Sequence, residues 1–293
     1  QAEDGIRDKQ ICLVGSEMCI RDRRKAKGGH RITKAIRAAN DEGRAAFIPF
    51  ATAGYPDAET SFEIAVAMID NGADVLEIGL PYSDPLADGA TIQHASAVAL
   101  ANGATLDDSI ALIGRIHEAR PKVPLVTMGY CNQVLGGKDG ASVLRRLGEA
   151  GVSGFILADI TPDESEALEA EAAGVGIGLV YLVAPTTTAD RVPYVAKRSQ
   201  GFLYAVSLAG VTGARTSLPP GVKTFLRQVG EVSPVPVAVG FGVSKPKHAK
   251  QLAPVADGVI TASALIDALG PDGTDVERMS ELARSLREAC ARP

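Results

Sequence analysis

The sequence predicts a (β/α)8 barrel, the TIM barrel fold, built as a single domain, and three observations carry the prediction. Short apolar runs alternate with amphipathic stretches along the whole chain from about residue 30. Strands buried on both faces read as such runs, and helices with one apolar stripe cover them. Eight of these runs can be counted, the number that closes a parallel sheet into a barrel. No linker or shift of composition divides the chain after residue 30. An open, doubly wound sheet is the alternative architecture.

Taken in order, residues 31–40 form a basic helix with Ile32 and Ile36 on one face, closed by Asp41-Glu42-Gly43. Residues 47–52 are the first strand. Asp57 caps a helix whose stripe is Phe62, Ala65, Met68 and Ile69, and Asn71-Gly72 stops it. The second strand lies within 73–79, followed by a loop and a helix through Ala111, Ile113 and Ile116. A strand at 124–128, a helix at 140–149 and a strand at 154–158 follow. Thr161-Pro162-Asp163-Glu164 reads as a capping box with proline in the first helical position, on a helix ended by Gly174. Then come a strand over 176–183, a short helix over 189–197 and a strand over 202–207. A long Gly/Thr/Ser loop leads to a helix near 221–230. The last units are a strand at 235–239, a helix capped by Ser244, a strand at 257–260 and a helix near 275–290.

Composition narrows the function. Of 293 residues, 46% are hydrophobic, enough for a sizeable core, and the net charge of −5 argues against a nucleic-acid or membrane-surface protein. No apolar run has the length of a membrane span. The four cysteines, Cys12, Cys19, Cys131 and Cys290, have neither metal-ligand spacing nor the look of a disulfide framework, so the expected compartment is a reducing cytoplasm. Residues 1–29 are set apart: the first 23 lack periodicity and resemble translated sequencing-adaptor strings, and Glu17 breaks what a signal peptide would need as an apolar centre. That segment is expected to be non-native or disordered, with the barrel domain running over 30–293.

The most informative stretch runs from Ala73 to Gly89. It opens as an apolar strand interrupted by one carboxylate, Glu77, close to the Gly79 and Pro81 that end the strand. A charge there costs several kcal/mol unless paired or neutralised. It is either a structural Glu satisfied by backbone donors or a neighbouring Arg, or an acid/base carboxyl whose burial raises its pKa. Asp88 follows eleven residues later on a Pro/Ser/Asp loop. Two carboxyls, one on a strand end and one on the next loop, suggest divided acid and base roles, although loop aspartates are also common turn formers.

Three glycine-bearing loops lie late in the chain: Gly210-Val211-Thr212-Gly213, Gly240-Phe241-Gly242-Val243-Ser244 and Ala262-Ser263-Ala264. Each alone marks a tight turn. Together, after strands six to eight, they stand where barrels bind phosphate, with exposed backbone N–H groups and a helix start near Ser263. Phe50 and Met128 end the first and third strands, either as core or as pocket wall. Tyr204 lies on the sixth strand, where a core aromatic with a satisfied hydroxyl is the commoner outcome. Asp159 reads as a loop acid, Cys131 as inert, and the four histidines as solvated or helix-end residues.

The run Leu76-Glu77-Ile78-Gly79-Leu80-Pro81-Tyr82-Ser83-Asp84-Pro85-Leu86-Ala87-Asp88-Gly89, continuing into Thr91-Ile92-Gln93, closely resembles the signature of the tryptophan synthase alpha subunit family. Residues 50–56, 184–187, 210–213, 240–243 and 258–264 extend the likeness in the same order, from about Arg31 to Leu269. The resemblance implies a lyase that cleaves indole-3-glycerol phosphate into indole and glyceraldehyde 3-phosphate. It implies Glu77 in proton transfer, Asp88 on the indole N–H and Tyr204 as the active-site tyrosine. Phe50 and Met128 would line the indole pocket, with Thr212, Gly213, Gly240, Gly242 and Ser263 around the phosphate. It implies no metal and no cofactor in this chain. The partner would be a beta subunit carrying pyridoxal phosphate in an alpha2-beta2 complex, with segments 82–89 and 208–219 closing over the substrate. One departure stands out. Many members have Gly where this chain has Ala262, and a methyl there would crowd the phosphate if the backbone needed positive φ. Two rival readings are another phosphate-binding barrel enzyme and a non-catalytic barrel that only activates its partner.

Overall fold

The computed structural model describes residues 27–135, 140–206, 218, 220–240 and 242–293. Residues 1–26 of the set-apart segment 1–29 and the loop residues Thr212 and Gly213 lie outside the described residues. The first helix, α1 (Lys27–Asp41), starts four residues before the expected boundary, so residues 27–29 belong to it. Gly28 donates its N–H to the Gly176 carbonyl at 2.9 Å, and Ile32 and Ile36 are fully buried under the barrel floor.

The strands are β1 (Ala46–Thr52), β2 (Leu76–Gly79), β3 (Leu125–Gly129), β4 (Val152–Leu157), β5 (Gly178–Val180), β6 (Leu182–Val183), β7 (Leu203–Val206), β8 (Val237–Gly240) and β9 (Gly258–Thr261). All pair in parallel, in the order β5-β4-β3-β2-β1-β9-β8-β7-β6. The two ends of that order, β5 and β6, are pieces of the one strand predicted over 176–183, interrupted at Tyr181. β5 pairs with β4 and β6 with β7, so the sheet closes through this broken stave, and the open-sheet alternative is excluded.

The break has a local cause. The Tyr181 phenol leaves the sheet to donate to Glu169 Oε1 at 2.7 Å, and Arg198 Nε donates to the same oxygen at 2.9 Å. Ser165 Oγ makes a short contact with the same hydroxyl. A buried phenol that finds partners outside the barrel holds its backbone out of the ladder. Its carbonyl still accepts the Tyr204 N–H at 3.0 Å, which fixes β7 against the broken stave.

The helices that follow are α2 (Ala58–Asp70), α3 (Ala90–Ala101), α4 (Leu106–Ala119), α5 (Cys131–Leu135), α6 (Gly140–Glu149) and α7 (Glu166–Gly174). After them come α8 (Arg191–Arg198), α9 (Val222–Val232), α10 (Pro246–Leu252), α11 (Ser263–Ala268) and α12 (Val276–Ala289). Asp57 caps α2 as expected, its side chain accepting from the Thr60 N–H, and Asp275 caps α12. Two expected caps move. Thr161–Glu164 forms a turn, with Glu164 N–H on the Thr161 carbonyl, and α7 begins only at Glu166 because Ser165 Oγ is spent on Pro162 and Tyr181. Pro246 occupies the first turn of α10, which places the cap at Lys245, and Ser244 lines the barrel mouth instead. Helices α3 and α5 have no counterpart in the sequence reading.

Candidate active site

The barrel mouth holds a cavity of about 590 Å³, part of it open to solvent. Its carboxyl end is formed by Glu77, Asp88, Phe50 and Met128 from the first three β/α units, with Tyr204 from β7. Its other end is backbone-rich: Gly242, Val243 and Ser244 after β8, and Ala262, Ser263 and Ala264 after β9. Ile92 and Ile260 complete the wall. Of the ten residues singled out from sequence, seven therefore face one cavity. Gly240 is not among its lining residues, and Thr212 and Gly213 are outside the described ones.

Parallel pairing explains the carboxyl end. Phe50 is in register with Glu77, and Gly79 with Met128. Side chains two apart on a strand point the same way, so Glu77 and Gly79 stack along the barrel interior. A Cβ on Gly79 would lie 2.3 Å from the tip of the Phe50 ring. The missing side chain makes room for the tip of that ring against β2. A second missing side chain serves Tyr204: a Cβ on Gly240 would sit 2.2 Å from its hydroxyl oxygen. Gly240 thus contributes by admitting Tyr204 to the site.

The electrostatics separate the two acids. Glu77 is 1% exposed and Asp88 7%. Among the described residues Glu77 Oε2 is buried with no hydrogen-bond partner, neither an arginine nor a backbone donor. Burial, and then the charge of Asp88, push its pKa up to about 8. Burial also raises Asp88, but a hydrogen bond from Tyr130 offsets part of this and leaves it at about 6. At pH 7 the pair therefore carries one proton, on Glu77, and one charge, on Asp88. Burial and the two carboxyls hold the Tyr204 hydroxyl well above its ordinary pKa, so it stays a neutral donor.

Several expectations resolve here. Ala262 has φ −118°, outside the left-handed region that favours glycine, so the positive-φ conflict foreseen for its methyl does not arise. Asp159 accepts the Cys131 N–H at 2.8 Å at the start of α5; burial, and then Asp159, push the Cys131 thiol up to about 12, so the thiol is held protonated. His248 is buried rather than solvated, its Nδ1 accepting the Ser244 N–H at 3.3 Å behind the cavity wall. Among the described residues no group of three or more His, Cys, Asp or Glu is placed to hold a metal ion. Sequence reading missed Tyr130 and Ile92 as site residues, and it took Ser244, on the second glycine loop, for a helix cap. The signal for Tyr130 was its position directly after β3 at the barrel mouth, the place where barrels carry chemistry.

The sequence profile of the family described as Tryptophan synthase alpha chain matches residues 36–291. The chain belongs to the tryptophan synthase alpha chain family. The tryptophan synthase alpha chain of Roseiflexus castenholzii is 41% identical over 260 residues, 88% of this chain and 99% of that protein. The alpha chain of Halorhodospira halophila is 42% identical over 262 residues, 88% of this chain and 96% of the relative. Among solved structures, Mycobacterium tuberculosis tryptophan synthase superposes with a TM-score of 0.82 at 35% identity, covering 90% of this chain and 99% of that one. The tryptophan synthase alpha subunit of Legionella pneumophila superposes with a TM-score of 0.80 at 32% identity, covering 89% and 98%. The tryptophan synthase alpha subunit is a lyase of tryptophan biosynthesis that cleaves indole-3-glycerol phosphate and pairs with a beta subunit. The resemblance noted in the signature run therefore extends over the whole barrel. Among the described residues no helix is long and apolar enough to cross a membrane.

Proposed function

We propose that Glu77 and Asp88 divide the proton and charge work of indole-3-glycerol phosphate cleavage, and that one observation carries the division. The two buried carboxyls share one cavity with pKa values on opposite sides of neutrality. Protonated Glu77 gives its proton to C3 of the indole, which turns the ring into an electron sink. Its carboxylate then takes the proton of the C3′ hydroxyl. The C3–C3′ bond breaks as the aldehyde C=O forms, and the bonding pair returns to the ring, neutralising the iminium. Indole and glyceraldehyde 3-phosphate leave, and Glu77 is again protonated. Ionised Asp88 accepts the indole N–H and stabilises the cationic ring in between.

Phe50 and Met128 supply the apolar faces for the indole. Tyr204, admitted by Gly240, donates to substrate oxygen beside the carboxyls. Gly242 and Ser263, with their neighbours on the two late loops, offer backbone N–H groups and a hydroxyl to the phosphate. Thr212 and Gly213 complete that end in this reading. This chemistry is acid–base throughout and calls for no metal or organic cofactor in this chain. Pyridoxal phosphate belongs to the beta subunit that receives the indole. A cytoplasmic location and an alpha2-beta2 assembly fit the family. The domain division belongs to the same reading: a barrel domain over 30–293, with residues 1–29 set apart.

The test is indole release from indole-3-glycerol phosphate by a chain beginning near Lys27, with and without a beta subunit. Release by the isolated chain that rises with the partner is the expected result. Binding of a glycerol phosphate ligand with no indole released in either condition would favour the non-catalytic barrel.

A further inference from the structure

The loop that carries Asp88 has nine residues, Leu80 to Asp88, without helix or strand of its own. Ordering such a segment costs backbone entropy at every residue, so something must hold Asp88 in place. The contacts converge on one short stretch, Tyr130 to Gln133, at the end of β3. The Tyr130 hydroxyl accepts the Ala87 N–H at 3.0 Å, one residue before Asp88, and it holds the Asp88 carboxyl down against the effect of burial. Its ring stacks on Tyr82, with centroids 5.0 Å apart, and Asn132 Nδ2 donates to the Tyr82 hydroxyl at 3.1 Å.

Gln133 joins the two ends of this assembly. Its Oε1 accepts the Tyr130 N–H at 3.0 Å, and its Nε2 donates to the Pro81 carbonyl at 3.0 Å and, more weakly, to Leu80 at 3.5 Å. A primary amide is suited to this place because it has an acceptor and two donors on one planar head. The start of the loop is thereby tied to the residue that holds its end.

We propose that Gln133 is a positioning residue for the reaction: it splints the Asp88 loop to Tyr130 and so aims the Asp88 carboxylate at the substrate. The proposal rests on the role given above to Asp88. A misplacement of about 1 Å in a reacting group can cost on the order of 10²-fold in rate. Gln133→Leu, which removes all three bonds, is expected to lower kcat about tenfold with KM changed much less. Gln133→Glu keeps the acceptor for Tyr130, loses both donors and sets a carboxylate against two carbonyls; it should fall at least as far.

The deciding experiment is a double-mutant cycle in steady-state indole release, comparing Gln133→Leu alone, Asp88→Asn alone and both together. If Gln133 acts through Asp88, its effect on kcat disappears in the Asp88→Asn background. Unchanged affinity for glycerol phosphate in each variant checks that the barrel is intact. Equal losses from Gln133→Leu in both backgrounds, or no loss in the parent while Asp88→Asn is crippled, would overturn the positioning role alone. An Asp88→Asn variant with parental kcat would overturn the role of Asp88 and this proposal with it.

Discussion

Glu77→Gln is expected to lower the turnover of indole-3-glycerol phosphate by about 10²–10⁴-fold, the usual contribution of a positioned acid–base group. The amide fills the same space but can neither give a proton to C3 nor take one from the hydroxyl. The loss should appear in kcat with little change in KM, because the apolar walls and the phosphate end are untouched. Stability should move the other way. In the unfolded chain Glu77 ionises near its ordinary value, whereas in the fold burial holds the proton up to about 8. A pKa raised by folding gives a contribution fully present below the unfolded value and lost as pH rises through the folded one. The parent should therefore lose stability progressively between about pH 4.5 and 8, and Glu77→Gln should lack that component. Urea titrations of both proteins across this range, read beside the kinetics, check it. A variant that is inactive and also less stable at pH 8 would point to a structural carboxyl.

Asp88→Asn carries the second large effect, expected at about 10²-fold or more in kcat, since it removes the charge facing the cationic ring. It also makes a distinctive change in pH dependence. For the parent, kcat/KM should follow a bell, with an acid limb near 6 where Asp88 gains its proton and an alkaline limb near 8 where Glu77 loses its own. In Asp88→Asn the acid limb disappears. The alkaline limb moves to lower pH as well, because the negative charge of Asp88 is one of the two causes that raise Glu77. An alkaline limb that stayed in place would mean that the carboxyls are not coupled.

How much of this was legible in the sequence differs by element. Glu77 could be read because a lone carboxylate in an apolar strand has few explanations, and the structure removes one of them by leaving Oε2 unpartnered among the described residues. The eight staves could be counted because strands buried on both faces are continuous apolar runs. Helix α3 could not be read: its alanine-rich stretch is apolar on most sides and shows no clear stripe at helical spacing, although Ala95 and Ala99 are buried. The break at Tyr181 was hidden because its cause, the partly buried Glu169–Arg198 pair, comes from two helices flanking the strand in sequence. Gly240 drew attention for its backbone, yet what requires it is the Tyr204 hydroxyl from the adjacent strand. Gln133 carried no signal at all, because its value lies in partners some fifty residues away.

The central claim is that the unliganded protein already holds its proton on Glu77 and its charge on Asp88 at neutral pH. It is tested most directly by following the two carboxyl groups through a pH titration, by carbon-13 NMR of selectively labelled glutamate and aspartate, with Glu77→Gln and Asp88→Asn assigning the signals. The account predicts one transition near 6 from Asp88 and one near 8 from Glu77. A Glu77 signal that titrates between 4 and 5, as an ordinary surface glutamate does, would contradict it.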